Sequence, residues 1–300
     1  MRIGIVIPAH EAAPWIADAI GAVLAQSHAD WSLIVVDDGS RDATAAIARR
    51  FLVDPRVSLI RQDRGGVSAA RNRGLSACAK AEAVLFLDAD DWLAPDALAR
   101  LAHALHAAPD AVAACGPAGF VGEHARPGAR TGRVLRCRGG DVLPRLLVRN
   151  LFANGGHVLV RASAVGEAGG FRSDLTYGED WEFFTRIAAL GAFAQARGRE
   201  PVLFVRRRPH GAYLRMATDP ASFVPCMEAI FANPALTARF GLRRLATIRR
   251  RAEAENQWVI GRALLAHARP EGHAYLRRSL AAKPGAKRFA LTAAAHLLPW

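Results

Sequence analysis

Acidic residues follow apolar runs of the first hundred residues in a pattern that could hold a divalent cation. The acids after the second and fourth runs are Asp37 and Asp38, and Asp88, Asp90 and Asp91, with Glu11 following the first run. Five carboxylates at the ends of two buried strands are costly unless a positive charge shares the site. A hard cation such as Mg²⁺ or Mn²⁺, bound by carboxylate oxygens and clamped to a phosphate, meets that requirement.

A glycine-rich segment between the two acidic turns could bind the phosphate. Gly65 and Gly66 allow the backbone to approach a ligand closely, and Arg71 follows near the start of a predicted helix. Acids for a metal and a basic helix start for phosphate together predict a nucleotide diphosphate site. The sequence contains neither GxxxxGKS/T nor GxGxxG, which disfavours ATPases and dinucleotide-binding enzymes.

Strands that alternate with helices must position these groups. Short apolar runs begin at Ile3, Ser32, Val57 and Ala83, and helical patterns lie between them. This alternation predicts a parallel sheet with helices on both faces, in which ligands bind at the carboxyl ends of the strands. After Asp219 the strand signals stop, and the remaining residues indicate three or four helices.

The composition is typical of a globular protein without membrane spans. Hydrophobic residues make up 51% and charged residues 22% of the 300 residues, which excludes disorder. The longest uncharged stretches, 111–122 and 289–300, have 12 residues, whereas a bilayer span needs about 20. The four cysteines are scattered, which predicts neither a zinc site nor a disulfide framework. The first residues resemble a strand more than a signal peptide, so we expect a cytoplasmic protein.

The net charge of +13 is concentrated at one end of the chain. Successive hundreds of residues carry −2, +3 and +12. The net charge of +12 on the last hundred residues has two interpretations. It indicates either a solvated basic helix face or a peripheral contact with an anionic membrane. Nucleic-acid binding is disfavoured, because the arginines are not interleaved with stacking aromatic residues.

Five segments, in order, resemble the motifs of the inverting family 2 glycosyltransferases of GT-A fold. They are Val6–His10, Val35–Thr44, Gly65–Gly74, Leu87–Trp92, and Gly169–Phe171 with Gly178–Glu182. The resemblance implies an α/β fold, with a Rossmann-like mixed sheet flanked by helices. We therefore expect a GT-A catalytic domain at residues 1–215 and a basic, α-helical C-terminal region at 216–300.

The resemblance also implies a role for the acidic and basic groups. Asp180 matches the general base that deprotonates an acceptor hydroxyl. The positions that match metal contacts, for Mg²⁺ or Mn²⁺, are Asp90, Asp91 and His210. The positions that match contacts with the nucleotide sugar are Pro8, Ala9, His10, Glu11, Asp38, Gly66, Arg71, Asp88, Ala89 and Asp90.

The activity that follows is a metal-dependent, inverting transfer of one sugar. The donor would be a nucleotide diphosphate sugar, with a UDP-sugar as the first expectation, and the acceptor a hydroxyl of a glycan or lipid-linked glycan. His10 and Glu11 replace the aromatic residue and Asn that the family commonly has, so the base specificity stays open.

Two alternatives remain open at this point. A sugar-1-phosphate nucleotidyltransferase would need a glycine-rich basic loop directly after the first strand, where this chain has Pro8-Ala9-His10-Glu11. A degenerate transferase that serves as a binding protein is disfavoured by the intact Asp90, Asp91 and Asp180.

Overall fold

The computed structural model describes residues 1–208 and 219–295, and these residues separate into two compact units. The first unit comprises residues 1–142 and 152–208, and the second comprises 143–151 and the described residues from 219 onward. The domain boundary that we expect near residue 215 falls between 209 and 218, outside the described residues.

A seven-stranded mixed sheet is the centre of the first unit. It contains β1 (Ile3–Ala9), β2 (Trp31–Asp38), β3 (Val57–Gln62), β4 (Ala83–Phe86), β6 (Ala113–Cys115), β9 (Val158–Arg161) and β10 (Phe193–Gln195). The order is β10-β6-β9-β4-β1-β2-β3, and β9 alone among them runs antiparallel to its neighbours. Every residue of β1 is buried, as a continuous apolar run between two parallel neighbours requires. The mixed sheet confirms the predicted fold class.

Helices cover this sheet and end or begin near its carboxyl edge. The helices that begin before residue 208 are α1 (Ile16–Leu24), α2 (Thr44–Arg49), α3 (Val67–Ala77), α4 (Ala97–His106), α5 (Leu143–Leu146), α6 (Ala162–Ala168) and α7 (Glu179–Leu190), of which α5 belongs to the second unit. Helix α1 buries Ile16, Ala19, Ile20 and Val23, which lie on one face of the helix. Helix α3 packs on β1 and β2 so closely that a Cβ on Gly74 would lie 2.3 Å from Val6 Cγ1.

A second, four-stranded sheet extends from the acidic turn after β4. It contains β5 (Trp92–Leu93), β7 (Ala118–Gly122), β8 (Val134–Leu135) and β11 (Leu203–Arg207), in the order β5-β11-β7-β8. Strand β11 pairs antiparallel with β5, with Phe204 opposite Trp92. This pairing brings the arginines at the end of β11 next to the acidic residues that precede β5.

The second unit is helical in its described part. Its described residues beyond 219 form five α-helices, where the sequence indicates three or four. They are α8 (Phe223–Phe231), α9 (Pro234–Phe240), α10 (Leu242–Ala266), α11 (Gly272–Ala282) and α12 (Ala286–Ala295). Helices α10 and α11 pack together around buried Leu265 and Leu276, with Trp258 against them. Among the described helices, none combines the length and the hydropathy that a bilayer crossing requires.

Two of the four cysteines form a disulfide. Cys115, the last residue of β6, is bonded to Cys137, with the two Cα atoms 6.1 Å apart. The expectation that the scattered cysteines form no disulfide is wrong for this pair. Gly140 bridges to Phe193 of β10, the strand beside β6, so the fold returns the segment around Cys137 to the end of β6. The other two, Cys78 and Cys226, are buried.

A buried histidine connects the turn before β9 to the end of β6. His157 Nδ1 donates to the carbonyl of Gly116 at 2.7 Å, and Nε2 accepts from the N–H of Ala153 at 3.0 Å. Removal from water penalises the imidazolium and lowers the pKa of His157 to about 4. The ring is therefore neutral in the folded protein, with its proton on Nδ1.

Candidate functional site

The sheet order brings the three acidic turns to one edge. Strand β1 lies between β2 and β4, and all three run parallel, with Ala9 opposite Asp37 and Val6 opposite Phe86. The chain leaves each strand at its carboxyl end, which is where open α/β sheets bind ligands. The turns that follow β1, β2 and β4 therefore form one continuous polar rim.

Asp38 organises the glycine-rich segment at this rim. Its side chain accepts from Gln62 Nε2 and from the N–H groups of Gly65 and Gly66, each at 2.8 Å. Gly66 has φ +88°, a conformation that favours glycine, and it immediately precedes α3. Asp38 is 3% exposed, so its first role in the structure is to hold this loop. Sequence reasoning missed Gln62, which carries no motif.

His10 and Glu11 lie beside Asp38 in the turn after β1. His10 Nδ1 is 2.9 Å from the carbonyl of Asp38. Glu11 is exposed and has φ +50°, and its Oε1 accepts from the N–H of Arg41 at 2.7 Å. The two residues thus connect the turns after β1 and β2. Pro8 and Ala9, the last residues of β1, are buried.

Three carboxylates meet in the turn after β4. One carboxylate oxygen from each of Asp88, Asp90 and Asp91 lies within 4.8 Å of the others. Asp91 is buried, and its two oxygens accept from the N–H of Arg206 at 2.9 Å and from Asn154 Nδ2 at 2.5 Å. Asp88 and Asp90 are partly exposed, and the intervening Ala89 is buried.

The electrostatics of this turn fit a hard divalent cation. Burial, and then the negative charge of Asp88, raise the pKa of Asp90. Burial, followed by the charges of Asp90 and Asp88, raises the pKa of Asp91 well above its usual value. Crowded carboxylates of this kind gain from a nearby cation, and oxygen ligands suit Mg²⁺ and Mn²⁺. The third residue predicted to contact the metal, His210, lies outside the described residues.

A buried arginine that sequence reasoning missed holds the turn in place. Arg206 Nη1 donates to the carbonyl of Asp90 at 2.5 Å, and its Nη2 pairs with Asp18 of α1. The guanidinium also lies over the Trp92 ring, 4.6 Å from the centroid. The Arg206–Arg208 tract is visible in the sequence, but the partner Asp18 lies 188 residues away. No local signal connects the two.

Arg71 connects the acidic turn to the start of α7. Its Nη2 donates to Asp88 Oδ1 and its Nη1 to Glu179 Oε1, both at 2.9 Å. The guanidinium is 4% exposed. Burial opposes its charge, but the carboxylates of Asp88, Glu179 and Asp180 outweigh burial and raise the pKa of Arg71. Glu179 was not among the predicted site residues, although it is adjacent to Asp180.

Asp180 lies at this junction, in the first turn of α7. Its Oδ1 accepts from the N–H of Trp181 at 2.6 Å. Removal from water, and then the charge of Glu179, raise the pKa of Asp180 to about 7. A carboxylate with a pKa near neutrality can accept a proton in a reaction and release it afterwards.

The predicted site residues that the structure describes, which excludes His210, therefore lie at one edge of the sheet. Asp38 and Gly66 lie at the start of α3, while Arg71, farther along the same helix, reaches Asp88 and the first turn of α7. The arrangement combines a loop with exposed backbone, a carboxylate cluster suited to a cation, and a carboxylate with a raised pKa.

Known proteins match this chain in sequence. The family described as Glycosyl transferase family 2 matches residues 4–167. Glycosyltransferase GlyA of Streptococcus pneumoniae is 32% identical over 96 residues, and the succinoglycan biosynthesis protein ExoO of Rhizobium meliloti is 42% identical over 97 residues. Each match covers 32% of this chain, and respectively 14% and 27% of the relative. The matched region is thus less than a third of either relative.

Solved structures share the fold. The 1–349 fragment of S. aureus TarS in complex with UDP superposes with a TM-score of 0.59 at 13% identity, covering 99% of this chain and 91% of TarS 1–349. The mannosyltransferase PcManGT of Pyrobaculum calidifontis, in complex with GDP-Man and Mn²⁺, also gives 0.59, at 22% identity, with coverages of 99% and 79%. At these identities the likeness concerns the fold alone, and it confirms the predicted GT-A architecture.

Proposed function

The chain belongs to glycosyl transferase family 2, and we propose on that basis that it transfers one sugar from a nucleotide diphosphate sugar to a hydroxyl acceptor. One observation carries the proposal. The buried guanidinium of Arg71 joins the carboxylate cluster after β4 to the first turn of α7, where Asp180 lies. This contact supports a donor site and a proton acceptor that lie next to each other.

The donor end of the site consists of residues after β1, β2 and β4. His10 offers a flat ring for the base, and Asp38 and Gly66 form the loop beside it. Arg71 holds Asp88 in place beside the diphosphate end. Asp88 and Asp90, with Asp91 behind them, would hold Mg²⁺ or Mn²⁺. Such an ion, when bound, stabilises the negative charge that grows on the leaving diphosphate. TarS and PcManGT are in complex with UDP and GDP-Man respectively, and UDP-sugars are the first donors to test.

Asp180 is the general base in this proposal. Its carboxylate takes the proton of the acceptor hydroxyl while the hydroxyl oxygen bonds to the anomeric carbon. The bond from that carbon to the diphosphate oxygen breaks, and its electron pair leaves with the diphosphate. Attack from the face opposite the leaving group inverts the anomeric centre in one displacement. The start of α7 supports this role, because its N–H groups and dipole stabilise the ionised carboxylate until the proton arrives.

The acceptor in this proposal is a hydroxyl of a glycan or a lipid-linked glycan. The relative ExoO is named for succinoglycan biosynthesis, which supports a polysaccharide product. We place the reaction in the cytoplasm, at the inner face of the membrane.

A basic face of α10 supports this location. Arg243, Arg244, Arg250 and Arg251 are exposed, and the first two turns of the helix contain no acidic residue. Arginines near an anionic lipid surface each contribute about 1 kcal/mol to binding. The full chain should therefore pellet with vesicles that contain phosphatidylglycerol at low salt and less at high salt.

Two matched double variants test the membrane contact. Arg250→Gln with Arg251→Gln should weaken vesicle binding roughly tenfold or more. Arg49→Gln with Arg50→Gln removes an equal charge from the exposed end of α2 and should leave binding nearly unchanged. Equal binding of both variants would remove α10 from the contact.

The donor assignment is tested by thermal unfolding with UDP, GDP, dTDP and CDP, each with and without Mn²⁺. A nucleotide that binds the folded chain, present at a free concentration 100 times its Kd, stabilises the chain against unfolding by about 2.7 kcal/mol. We expect one nucleotide to raise the Tm in the presence of Mn²⁺ more than the others. No shift with any nucleotide would contradict the donor site.

A further inference from the structure

Arg208 pairs with a carboxylate of the cluster after β4. Its Nη2 lies 2.7 Å from Asp90 Oδ2. The same guanidinium lies over the ring of Trp15, 4.7 Å from the centroid. The ion pair and the cation–π contact together hold a positive charge against the carboxylate of Asp90. Asp90 and Asp88 are the two carboxylates of the cluster that are partly exposed.

Within the part of the chain that the structure describes, two other arginines contact the cluster, and Arg208 differs from both. Arg71 and Arg206 have side chains that are 4% and 0% exposed, and each connects separate elements of the fold. Arg208 has a side chain that is 32% exposed, at the end of β11. An exposed guanidinium can leave its carboxylate at little cost to packing, whereas the buried ones cannot.

A divalent cation at Asp90 would meet this guanidinium at close range. Two cations a few ångströms apart repel one another, and both would compete for the same carboxylate. Asp90 is crowded by Asp88 and Asp91, so the carboxylate gains from a positive partner at all times. The arginine supplies that partner whenever no metal does.

We propose that Arg208 is the counter-ion of Asp90 in the absence of metal. A divalent cation must displace Arg208 from Asp90, and the displaced arginine then contacts the diphosphate of the donor. This inference rests on the proposed function. Guanidinium groups bind phosphates in a bidentate geometry, and Arg208 stays beside the cluster when it leaves Asp90. The metal and the nucleotide thus assist each other, because the nucleotide retains the arginine that the metal must displace.

The test is the affinity of the full chain for Mn²⁺, measured by electron paramagnetic resonance of the free ion, with and without UDP. Without UDP, Arg208→Gln should bind Mn²⁺ about 5- to 10-fold more tightly than the wild-type chain. UDP should increase Mn²⁺ affinity in the wild type by a factor within the range of about 5 to 150 that is typical of coupled sites. In Arg208→Gln this factor should be smaller than in the wild type, and the part that remains comes from direct contact between the ion and the diphosphate.

Arg207→Gln is the matched control. Arg207 is the exposed neighbour of Arg208 and lies over Phe120, so the control removes an equal charge without touching Asp90. It should leave both the Mn²⁺ affinity and the effect of UDP close to wild type. Unchanged melting temperatures will show that both variants fold.

The outcomes separate this inference from the proposed function. If all three proteins bind Mn²⁺ and UDP with equal affinity and equal coupling, the role of Arg208 is wrong and the donor site stands. If none binds Mn²⁺ with any of the four nucleotides present, the donor site and the inference fail together. Weaker Mn²⁺ binding by Arg208→Gln would assign the arginine a supporting role and overturn displacement.

Discussion

The buried guanidinium of Arg71 donates to Asp88 at 2.9 Å. Because Asp88 follows β4 and Arg71 lies in α3, the pair connects two separate elements of the first unit. The second nitrogen of Arg71 contacts Glu179 at the same distance. A single side chain therefore pairs with two carboxylates and connects the acidic turn to the helix turn that contains Asp180.

Replacing Arg71 should therefore destabilise the protein. Arg71→Gln leaves Asp88 and Glu179 without their cation, and breaking a buried pair in this way costs about 3–5 kcal/mol. Arg71→Lys keeps the charge but offers one nitrogen, on a shorter side chain, where arginine uses two, so its loss should be intermediate. Urea unfolding at pH 7 measures the effect, and a loss below about 1 kcal/mol in Arg71→Gln would show that the pair does not hold the fold.

Activity should depend on the ionisation of Asp180. The pKa of Asp180 is raised to about 7, and a base works only when deprotonated. The value of kcat/KM should therefore be constant above that pH and fall about tenfold for each unit below it. Asp180→Asn should lose a factor of about 10² to 10⁴ in turnover while it still binds the nucleotide.

Asp174→Asn provides the control for that measurement. Asp174 lies in the same segment, is exposed and pairs with Arg172. This variant should retain wild-type turnover and the wild-type pH profile. Wild-type rates from Asp180→Asn, or a profile flat through pH 6, would exclude Asp180 as the base.

Two glycine-to-alanine changes in helices should change the free energy of unfolding in opposite directions. At Gly74 the new Cβ would lie 2.3 Å from Val6 Cγ1, so α3 would have to move away from β1, at a cost of about 1–3 kcal/mol. Gly21, within α1, has no atom within 4 Å of its Cβ position. Gly21→Ala should stabilise the chain by about 0.5–1 kcal/mol, since alanine restricts the unfolded chain. Thermal unfolding of both variants checks the signs.

Acid should destabilise the chain partly through His157. Its pKa is about 4 in the folded protein, against an ordinary value of 6.5 for a solvated histidine, so the unfolded chain binds a proton that the folded chain refuses. The stability lost between pH 7 and pH 5 from this group is about 2 kcal/mol. His157→Gln should lose correspondingly less over that interval. Parallel slopes for the two proteins would show that His157 does not contribute.

The sequence alone determined the parts of the site that are local. The Asp88–Asp91 turn, the Gly65–Gly66 loop and the amphipathic α1 depend on residues that are neighbours in the chain, so their type and spacing predict them. Strand alternation then places the turns at one edge, because parallel strands share their carboxyl ends. The shared edge and the acidic cluster were accordingly expected from the residues. The mixed sheet was implied only by the family resemblance, because strand alternation predicts a parallel sheet whereas β9 runs antiparallel.

Tertiary structure decided what depends on distant partners. Arg206 with Asp18, Arg208 with Asp90, and Cys115 with Cys137 each join residues whose separation in sequence gives no sign of their contact. The pairing of β11 with β5 determines that Arg206 is buried beneath the acidic turn and that Arg208 lies partly exposed beside it. Burial and charge pairing arise when the whole chain packs, and for that reason the sequence showed three successive arginines but not their different roles.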